Sequence, residues 1–128
     1  MLITVATGTG EGPTSLAAFD AALIDAGVAN YNLIYLSSVI PAGSVVQRSK
    51  YLAQAKEYGD RLYVVLARGQ ERRPGKSVWA GLGWVQENET GCGLFVELRG
   101  ATKSEVEEAI SVTLESMMAK RGRAFGPI

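Results

Sequence analysis

Apolar residues follow two different spacings along the chain, and the two spacings predict different elements. Runs rich in β-type residues are found at residues 1–6, 33–36, 44–47, 61–68, 77–86 and 92–99. Apolar residues that recur three and four positions apart are found at residues 13–26 and 102–117. Side chains alternate between faces along a strand, whereas residues three and four apart share one face of a helix. The order β-α-β-β-β-β-β-α predicts an α+β fold in which two helices cover a mainly β assembly.

The first helix is predicted from Pro13 to Ala26. Proline suits a first helical turn, where its missing N–H is not needed, and Gly27 suits the position just past the helix end. Its buried stripe is formed by Leu16, Phe19, Leu23 and Ala26. Asp20 lies on or beside this stripe, so its carboxylate either reaches water at the rim or forms a charged pocket wall.

The second helix follows Gly100, with Thr102 as its N-cap and Glu105 as the capping-box partner. Its predicted buried stripe consists of Val106, Ala109, Ile110, Thr113, Leu114 and Met117. The run 77–86 is predicted as a strand, with a helix as the alternative. The alanine and glycine residues of that run would let another layer approach closely.

Length and composition narrow the class of protein. The 128 residues predict a single domain, and 13 basic against 13 acidic residues give no indication of a nucleic-acid surface. No apolar run is long enough for a membrane span, and no secretory signal is recognisable. The single Cys92 is typical of a cytoplasmic protein. The absence of histidine excludes Ser-His and Cys-His nucleophiles and zinc sites with histidine ligands.

A glycine-rich turn at residues 7–13 lies between a strand and a helix, where phosphate-binding loops occur. After Gly8 and Gly10, Pro13 stands where the dinucleotide fingerprint needs a third small residue, and no Gly-Lys-Ser/Thr follows. The turn is therefore a poor match to a nucleotide site.

Two adjacent serines, Ser37 and Ser38, end the apolar run 33–36 and precede a turn at Pro41. Serine prefers caps and turns to strand interiors, so the simple interpretation is a strand end with satisfied hydroxyls. The wider pattern is Asn-Leu-Ile-x-x-Ser-Ser-x-Ile-Pro at residues 32–41. This pattern resembles the self-cleavage site of the pyruvoyl-dependent arginine decarboxylases.

Other segments extend the resemblance over nearly the whole chain. Upstream these are Glu-Gly at residues 11–12, Ala-Ala-Phe-Asp-Ala-Ala-Leu at residues 17–23 and Ala-Gly at residues 26–27. Downstream, Cys-Gly-Leu-Phe-Val-Glu at residues 92–97 is similar to the family's glutamate strand.

The resemblance implies a fold, an activity and an assembly. The fold is an αββα sandwich with mainly antiparallel sheets, and the subunits form a homotrimer or multiples of trimers with sites at subunit interfaces. Autocatalytic cleavage between Ser37 and Ser38 gives a β subunit, residues 1–37, and an α subunit, residues 38–128. The cofactor is a covalent pyruvoyl group derived from Ser38, without pyridoxal phosphate or metal. The reaction is decarboxylation of arginine to agmatine and CO₂.

The resemblance also implies roles for individual residues. Asp20 stands where the family binds the substrate's guanidinium group, and Asn32 stands where an asparagine helps maturation. Glu97 matches the acid-base glutamate that donates a proton. From the pattern alone, Asn32 is a turn residue at a strand start, and the pattern favours a sheet-edge position for Glu97.

Three alternatives accompany this hypothesis. The chain ends at Ile128, where the family continues into a further apolar segment, so one alternative is an uncleaved, inactive homologue that only assembles or binds a small ligand. The second is a pyruvoyl decarboxylase for another basic amino acid. The third is a non-enzymatic module that binds an anion at the glycine-rich turn.

Overall fold

The computed structural model describes residues 1–128, which form two compact units. The first unit contains residues 1, 36–44 and 65–128, and the second unit contains residues 2–35 and 45–64. Helices and strands are found in both units, which confirms the α+β class. The single domain and the two fragments 1–37 and 38–128 stay predictions. No helix combines the length and apolarity needed to cross a membrane.

Two parallel strand pairs form the sheets of the second unit. Strand β1 (Leu2–Val5) pairs with β4 (Val45–Arg48), and β2 (Asn32–Tyr35) pairs with β5 (Arg61–Val64). A strand is predicted over residues 61–68, but the observed strand ends at Val64 because the following residues have no partner strand. Antiparallel pairing, expected for most of the sheets, is found only in the first unit.

Helix α1 (Ser15–Ala26) begins later than predicted. The Thr14 hydroxyl accepts a hydrogen bond from the Ala17 N–H at 3.1 Å and caps the helix, so Pro13 precedes the cap. A threonine hydroxyl satisfies a free N–H of the first turn, which a proline ring cannot do. Gly27 ends the helix with a φ of 88°, the left-handed conformation predicted for it.

The predicted apolar stripe of α1 is only partly correct. Leu16 is 74% exposed, so its assignment to the core is wrong, while Phe19, Leu23 and Ala26 are partly buried. Helical spacing identifies residues that share a face, but it cannot show which part of that face is covered.

Small residues explain how the glycine-rich segment packs on α1. A Cβ at Gly8 would lie 2.1 Å from the Ala22 carbonyl oxygen, and a Cβ at Gly10 would lie 2.5 Å from the Ala22 nitrogen. The Thr9 N–H also donates to the Asp25 carboxylate at 2.9 Å. The backbone of this segment therefore lies directly against the helix, and this close approach accounts for the glycines without a nucleotide.

The first unit is built on a three-stranded antiparallel sheet in the order β3-β7-β6. Its strands are β3 (Val39–Ile40), β6 (Trp79–Gln86) and β7 (Gly93–Gly100). The strand predicted over residues 77–86 is confirmed for residues 79–86, and the helix alternative is wrong. Leu94 and Val96 of β7 are buried at 3% and 5% exposure against helix α2 (Lys103–Ala119).

Helix α2 approaches the sheet closely because β6 carries glycines, as predicted. A Cβ at Gly81 would lie 2.3 Å from Val106 Cγ1, and a Cβ at Gly83 would lie 2.3 Å from Ile110 Cγ2. Val106 and Leu114 are buried, whereas Ala109 is exposed, so its place in the predicted stripe is wrong. Helical spacing identifies residues near a buried face, but it does not show how far the covered part of that face extends.

The helix begins nearly as the sequence predicts. The Thr102 hydroxyl accepts from the Glu105 N–H at 3.2 Å. The Glu105 carboxylate accepts from the Ala101 N–H at 3.0 Å, one residue before the predicted donor. The cap still satisfies two N–H groups.

A buried glutamate closes the hairpin between β6 and β7. Glu87 is 8% exposed, and its carboxylate accepts hydrogen bonds from the Thr90 hydroxyl and from the Arg123 guanidinium. These two donors hold the pKa of Glu87 below its ordinary value. The Gly126 N–H donates to the Gln86 carbonyl at 2.9 Å, so the C-terminal segment is joined to the same hairpin.

Replacing Gly83 by alanine should lower the free energy of unfolding by about 1–3 kcal/mol, because the new Cβ would collide with Ile110. Denaturant unfolding measures the change. Ala80→Val, at an exposed position of the same strand, is the control and should stay within about 0.5 kcal/mol of the parent. In the double variant with Ile110→Ala, the two losses should sum to more than the observed loss. Strictly additive losses would contradict the collision.

The pKa of Glu87 predicts a pH dependence of stability. A lowered pKa in the folded state means that the carboxylate stabilises the fold above its ordinary pKa of 4.5 and loses this effect as the pH falls through the lowered value. Glu87→Gln should therefore flatten the fall in melting temperature on acidification. The exposed Glu108→Gln is the matched control and should leave the slope unchanged. Equal slopes for the parent and Glu87→Gln would count against this assignment.

Candidate active site

The two serines lie between β2 and β3, and the pairing of β3 with β7 positions the second one. Val39 lies opposite Leu94, and the Phe95 N–H donates to the Ser38 carbonyl at 2.9 Å. The loop after β3 is held as well, because the Gly43 N–H donates to the Thr90 carbonyl at 2.8 Å. The hydrogen bond to its carbonyl and the pairing of the following strand therefore hold Ser38 against strand β7.

A side-chain hydrogen bond joins Ser38 to Glu97. The Ser38 hydroxyl donates to the Glu97 carboxylate, and both side chains are partly buried in the first unit. A carboxylate that accepts a hydrogen bond from a hydroxyl is placed to remove its proton when the oxygen attacks an electrophile. The structure thus brings together two of the residues that the sequence singled out.

The alternation of β7 explains why Glu97 faces Ser38. Leu94 and Val96 point towards α2, whereas Phe95 and Glu97 share the opposite face. Phe95 is buried and contacts Trp84, with ring centroids 6.2 Å apart. Glu97 lies opposite Leu82 in the register, so its carboxylate stands beside an apolar surface on the strand.

The carbonyl of Ser37 takes part in a tight turn. The Val39 N–H donates to the Ser37 carbonyl oxygen at 3.0 Å, which makes Ser38 the central residue of a three-residue turn. The carbonyl that precedes the Ser38 nitrogen therefore already accepts a hydrogen bond.

Asp20 and Asn32 lie in the second unit. Asp20 is exposed on α1, and its carboxylate makes no hydrogen bond or ion pair within the chain. Its neighbours one turn away on either side, Leu16 and Ile24, are 74% and 63% exposed. The Asp20 carboxylate therefore lies within an exposed apolar strip of the helix.

Asn32 begins β2, and both its backbone and its side chain are engaged. Its N–H donates to the Asp60 carbonyl and its side-chain amide donates to the Gly59 carbonyl, each at 2.8 Å. These bonds tie the start of β2 to the residues before β5. Its suggested part in maturation stays a prediction.

Sequence reasoning missed the backbone donors of the site, the N–H groups of Val39 and Phe95. Every residue except proline has an N–H, so no residue type marks these two positions. Only the pairing of β3 with β7 and the turn at Ser38 show which carbonyl each one reaches.

Comparison with known proteins finds a family model and relatives that carry the same description. The family model described as pyruvoyl-dependent arginine decarboxylase matches residues 2–127. A protein of that name from Halobacterium salinarum is 41% identical over 120 residues, which are 93% of this chain and 74% of the relative. One from Thermococcus kodakarensis is 36% identical over 126 residues, 95% of this chain and 76% of the relative. One from Pyrococcus abyssi is 40% identical over 114 residues, 88% of this chain and 70% of the relative.

Proposed function

Since the chain belongs to the pyruvoyl-dependent arginine decarboxylase family, we propose that it cleaves itself between Ser37 and Ser38 and then decarboxylates arginine to agmatine. The observation that carries this proposal is the hydrogen bond from the Ser38 hydroxyl to the Glu97 carboxylate. It pairs a nucleophile with a base directly beside the peptide bond to be cleaved.

The residues around position 38 fit a pyruvoyl group. Serine supplies the Cα and Cβ from which such a group derives, and the Phe95 N–H already binds the Ser38 carbonyl, which the group would retain. Glu97 stands next to the side chain that is converted. No part of this arrangement needs a histidine, of which the chain has none.

Cleavage begins with a shift of the Ser37 acyl group from nitrogen to oxygen. Glu97 accepts the Ser38 hydroxyl proton while the hydroxyl oxygen bonds to the Ser37 carbonyl carbon. The bond between that carbon and the Ser38 nitrogen then breaks, the nitrogen takes the proton, and an ester remains. Loss of the Ser38 Cα proton breaks the bond between Cβ and the ester oxygen. Residues 1–37 leave with a new carboxylate, and the dehydroalanine at position 38 tautomerises and adds water. Ammonia is released and a ketone remains.

The chain's own residues then serve the decarboxylation. The pyruvoyl ketone supplies the electron sink for the electrons released with CO₂. Glu97 donates a proton to the carbon that has lost the carboxylate. Asp20 binds the guanidinium group by paired charge-assisted hydrogen bonds, which hold the far end of arginine in place.

A homotrimer, or a multiple of trimers, completes the proposal. The exposed Leu16 and Ile24 on either side of Asp20 support it, because an apolar strip around a substrate-binding carboxylate is suited to burial by another subunit. Asp20 and Ser38 would then serve a site at a subunit interface.

Intact-mass analysis of the purified protein tests the cleavage. The parent should give two fragments, residues 1–37 and 38–128, and the larger should begin with a ketone-bearing group. Ser38→Ala should remain a single chain of 13.6 kDa because it lacks the nucleophile. Ser37→Ala keeps both the attacked carbonyl and the Ser38 hydroxyl, so it should still cleave.

Glu97→Gln extends the same series. It should cleave at least about tenfold more slowly than the parent. A general base contributes at least about 10²-fold to the rate, and a water molecule can take over part of that role in the variant. A full-length parent chain would contradict the proposed maturation, and unchanged cleavage in Glu97→Gln would remove Glu97 from that step.

Asp20→Asn should raise the KM for arginine about 10- to 100-fold, since a hydrogen bond to a charged group contributes about 1.5–3 kcal/mol. Steady-state release of CO₂ measures the effect, and the fraction of cleaved chain should be unchanged. Asp25→Asn removes the same charge from the same helix and is the matched control, because an asparagine oxygen still accepts from Thr9. Equal arginine kinetics in Asp20→Asn and Asp25→Asn would refute the binding of the guanidinium group by Asp20. A preference of the parent enzyme for lysine over arginine would indicate another substrate.

A further inference from the structure

The hairpin between β6 and β7 contains a charged side-chain network that the reaction proposed above does not use. We propose that this network, formed by Glu87, Thr90 and Arg123, positions residue 38 after cleavage and keeps the new chain start beside Glu97 for the decarboxylation. The inference rests on the proposed function and assigns a task to three side chains that lie outside the reacting pair. These three are positioning residues.

Cleavage changes the way in which residue 38 is held. In the intact chain, the backbone continues on both sides of Ser38. After cleavage, residue 38 begins a chain, and only its carbonyl side remains covalently attached. The first residues of a chain are poorly ordered unless contacts hold them. The nearest contacts are the hydrogen bond from the Phe95 N–H to the residue 38 carbonyl and the two residue pairs of β3. A two-residue edge strand therefore carries the new chain start.

The next support for this strand comes from the β6–β7 hairpin. Only two residues separate β3 from Gly43, whose N–H donates to the Thr90 carbonyl at 2.8 Å. The Gln86 side-chain amide donates to the Ser44 carbonyl at 2.9 Å, and Ser44 is buried. A Cβ at Gly91 would lie 3.1 Å from the Gly43 nitrogen, so the hairpin turn lies directly against this loop. The position of the turn therefore determines the position of the loop that follows β3.

Glu87 fixes the orientation of Thr90 within the turn. The Glu87 carboxylate accepts from the Thr90 hydroxyl and from two nitrogens of the Arg123 guanidinium, one of them at 2.9 Å. These hydrogen bonds hold the pKa of Glu87 below its ordinary value, so the carboxylate is charged at neutral pH. The Thr90 hydroxyl also accepts from the Cys92 N–H at 3.1 Å. Charge-assisted bonds of this kind are stronger than neutral ones, and they orient the residue whose carbonyl binds Gly43.

A positioning role differs from a purely stabilising one in what it affects. A network that only stabilises the fold changes the melting temperature and leaves a folded, cleaved chain fully active. A positioning network changes the rate in a chain that stays folded, because a displacement of about 1 Å caused far from the reaction can reduce a rate by about 10²-fold. The intact chain holds residue 38 from both sides, so loss of the network should affect cleavage less than decarboxylation.

The test begins with Glu87→Gln, which removes the charge from the network. Intact mass over time should show cleavage close to the parent rate. Release of CO₂ from arginine should show that kcat per cleaved chain falls about 10- to 100-fold, with little change in KM. Hydrogen exchange followed by mass spectrometry gives a readout that does not depend on activity. Amides of residues 39–44 in the larger fragment should exchange at least about tenfold faster than in the parent, whereas those of α2 should not change.

Further variants make the test specific. Glu89→Gln, at an exposed position of the same hairpin, and Arg121→Gln, two residues before Arg123, are the matched controls and should behave as the parent. Thr90→Val removes the hydroxyl at an exposed position and is the second variant if Glu87→Gln does not fold. It should lower kcat in the same way. In the double variant Glu87→Gln with Arg123→Gln, the loss of kcat should not exceed the larger single loss, because both changes break one link.

The outcomes separate this inference from the proposed function. Lower kcat and faster exchange at residues 39–44 in Glu87→Gln, but in neither control, would support the positioning role. A cleaved Glu87→Gln chain with kcat within about twofold of the parent, or with unchanged exchange at residues 39–44, would overturn it and leave the proposed function intact. Equal slowing of cleavage and decarboxylation would also overturn it, because the network would then act on the intact chain. A parent chain that stays at full length would refute the proposed function and this inference with it.

Discussion

The pairing of the short edge strand β3 with β7 is the constraint on which the site depends. It comprises only two residue pairs, Val39 with Leu94 and Ile40 with Gly93. Through these contacts a hydroxyl meets a carboxylate that lies 59 residues further along the chain. Hydrogen bonds from Gly43 to Thr90 and from Gln86 to Ser44 hold the loop that follows β3. The position of the short strand is therefore not maintained by its two residue pairs alone.

The side chains of strand β7 alternate between a face that stabilises the fold and a face that carries the candidate catalytic glutamate. One face carries the apolar residues that pack on α2, and the other carries Phe95 and Glu97. A shift of one residue in register would exchange these faces and place the Glu97 carboxylate in the core, where an unpaired charge is costly. The packing of α2 therefore also determines the direction in which Glu97 points.

Close packing in both units relies on glycine. Gly81 and Gly83 let α2 lie on β6, and Gly8 and Gly10 let an extended segment lie on α1. The first case supports the sheet that carries Glu97. The second case accounts for a glycine-rich turn that, judged by its composition, resembles an anion-binding loop.

The sequence by itself determined the element types, the Thr102 N-cap, the end of the first helix at Gly27, the serine pair and the candidate carboxylates Asp20 and Glu97. These are local properties, because capping, periodicity and residue chemistry are expressed within a few residues of the chain. It did not determine that Leu16 and Ala109 are exposed, that the second unit pairs its strands in parallel, or that Val39 and Phe95 direct their N–H groups at two carbonyls beside Ser38. Exposure and strand pairing depend on which segments meet across long distances in the chain. The two N–H groups could not be singled out because every residue except proline offers the same backbone donor. Only the tertiary structure selects the few that reach the reacting atoms.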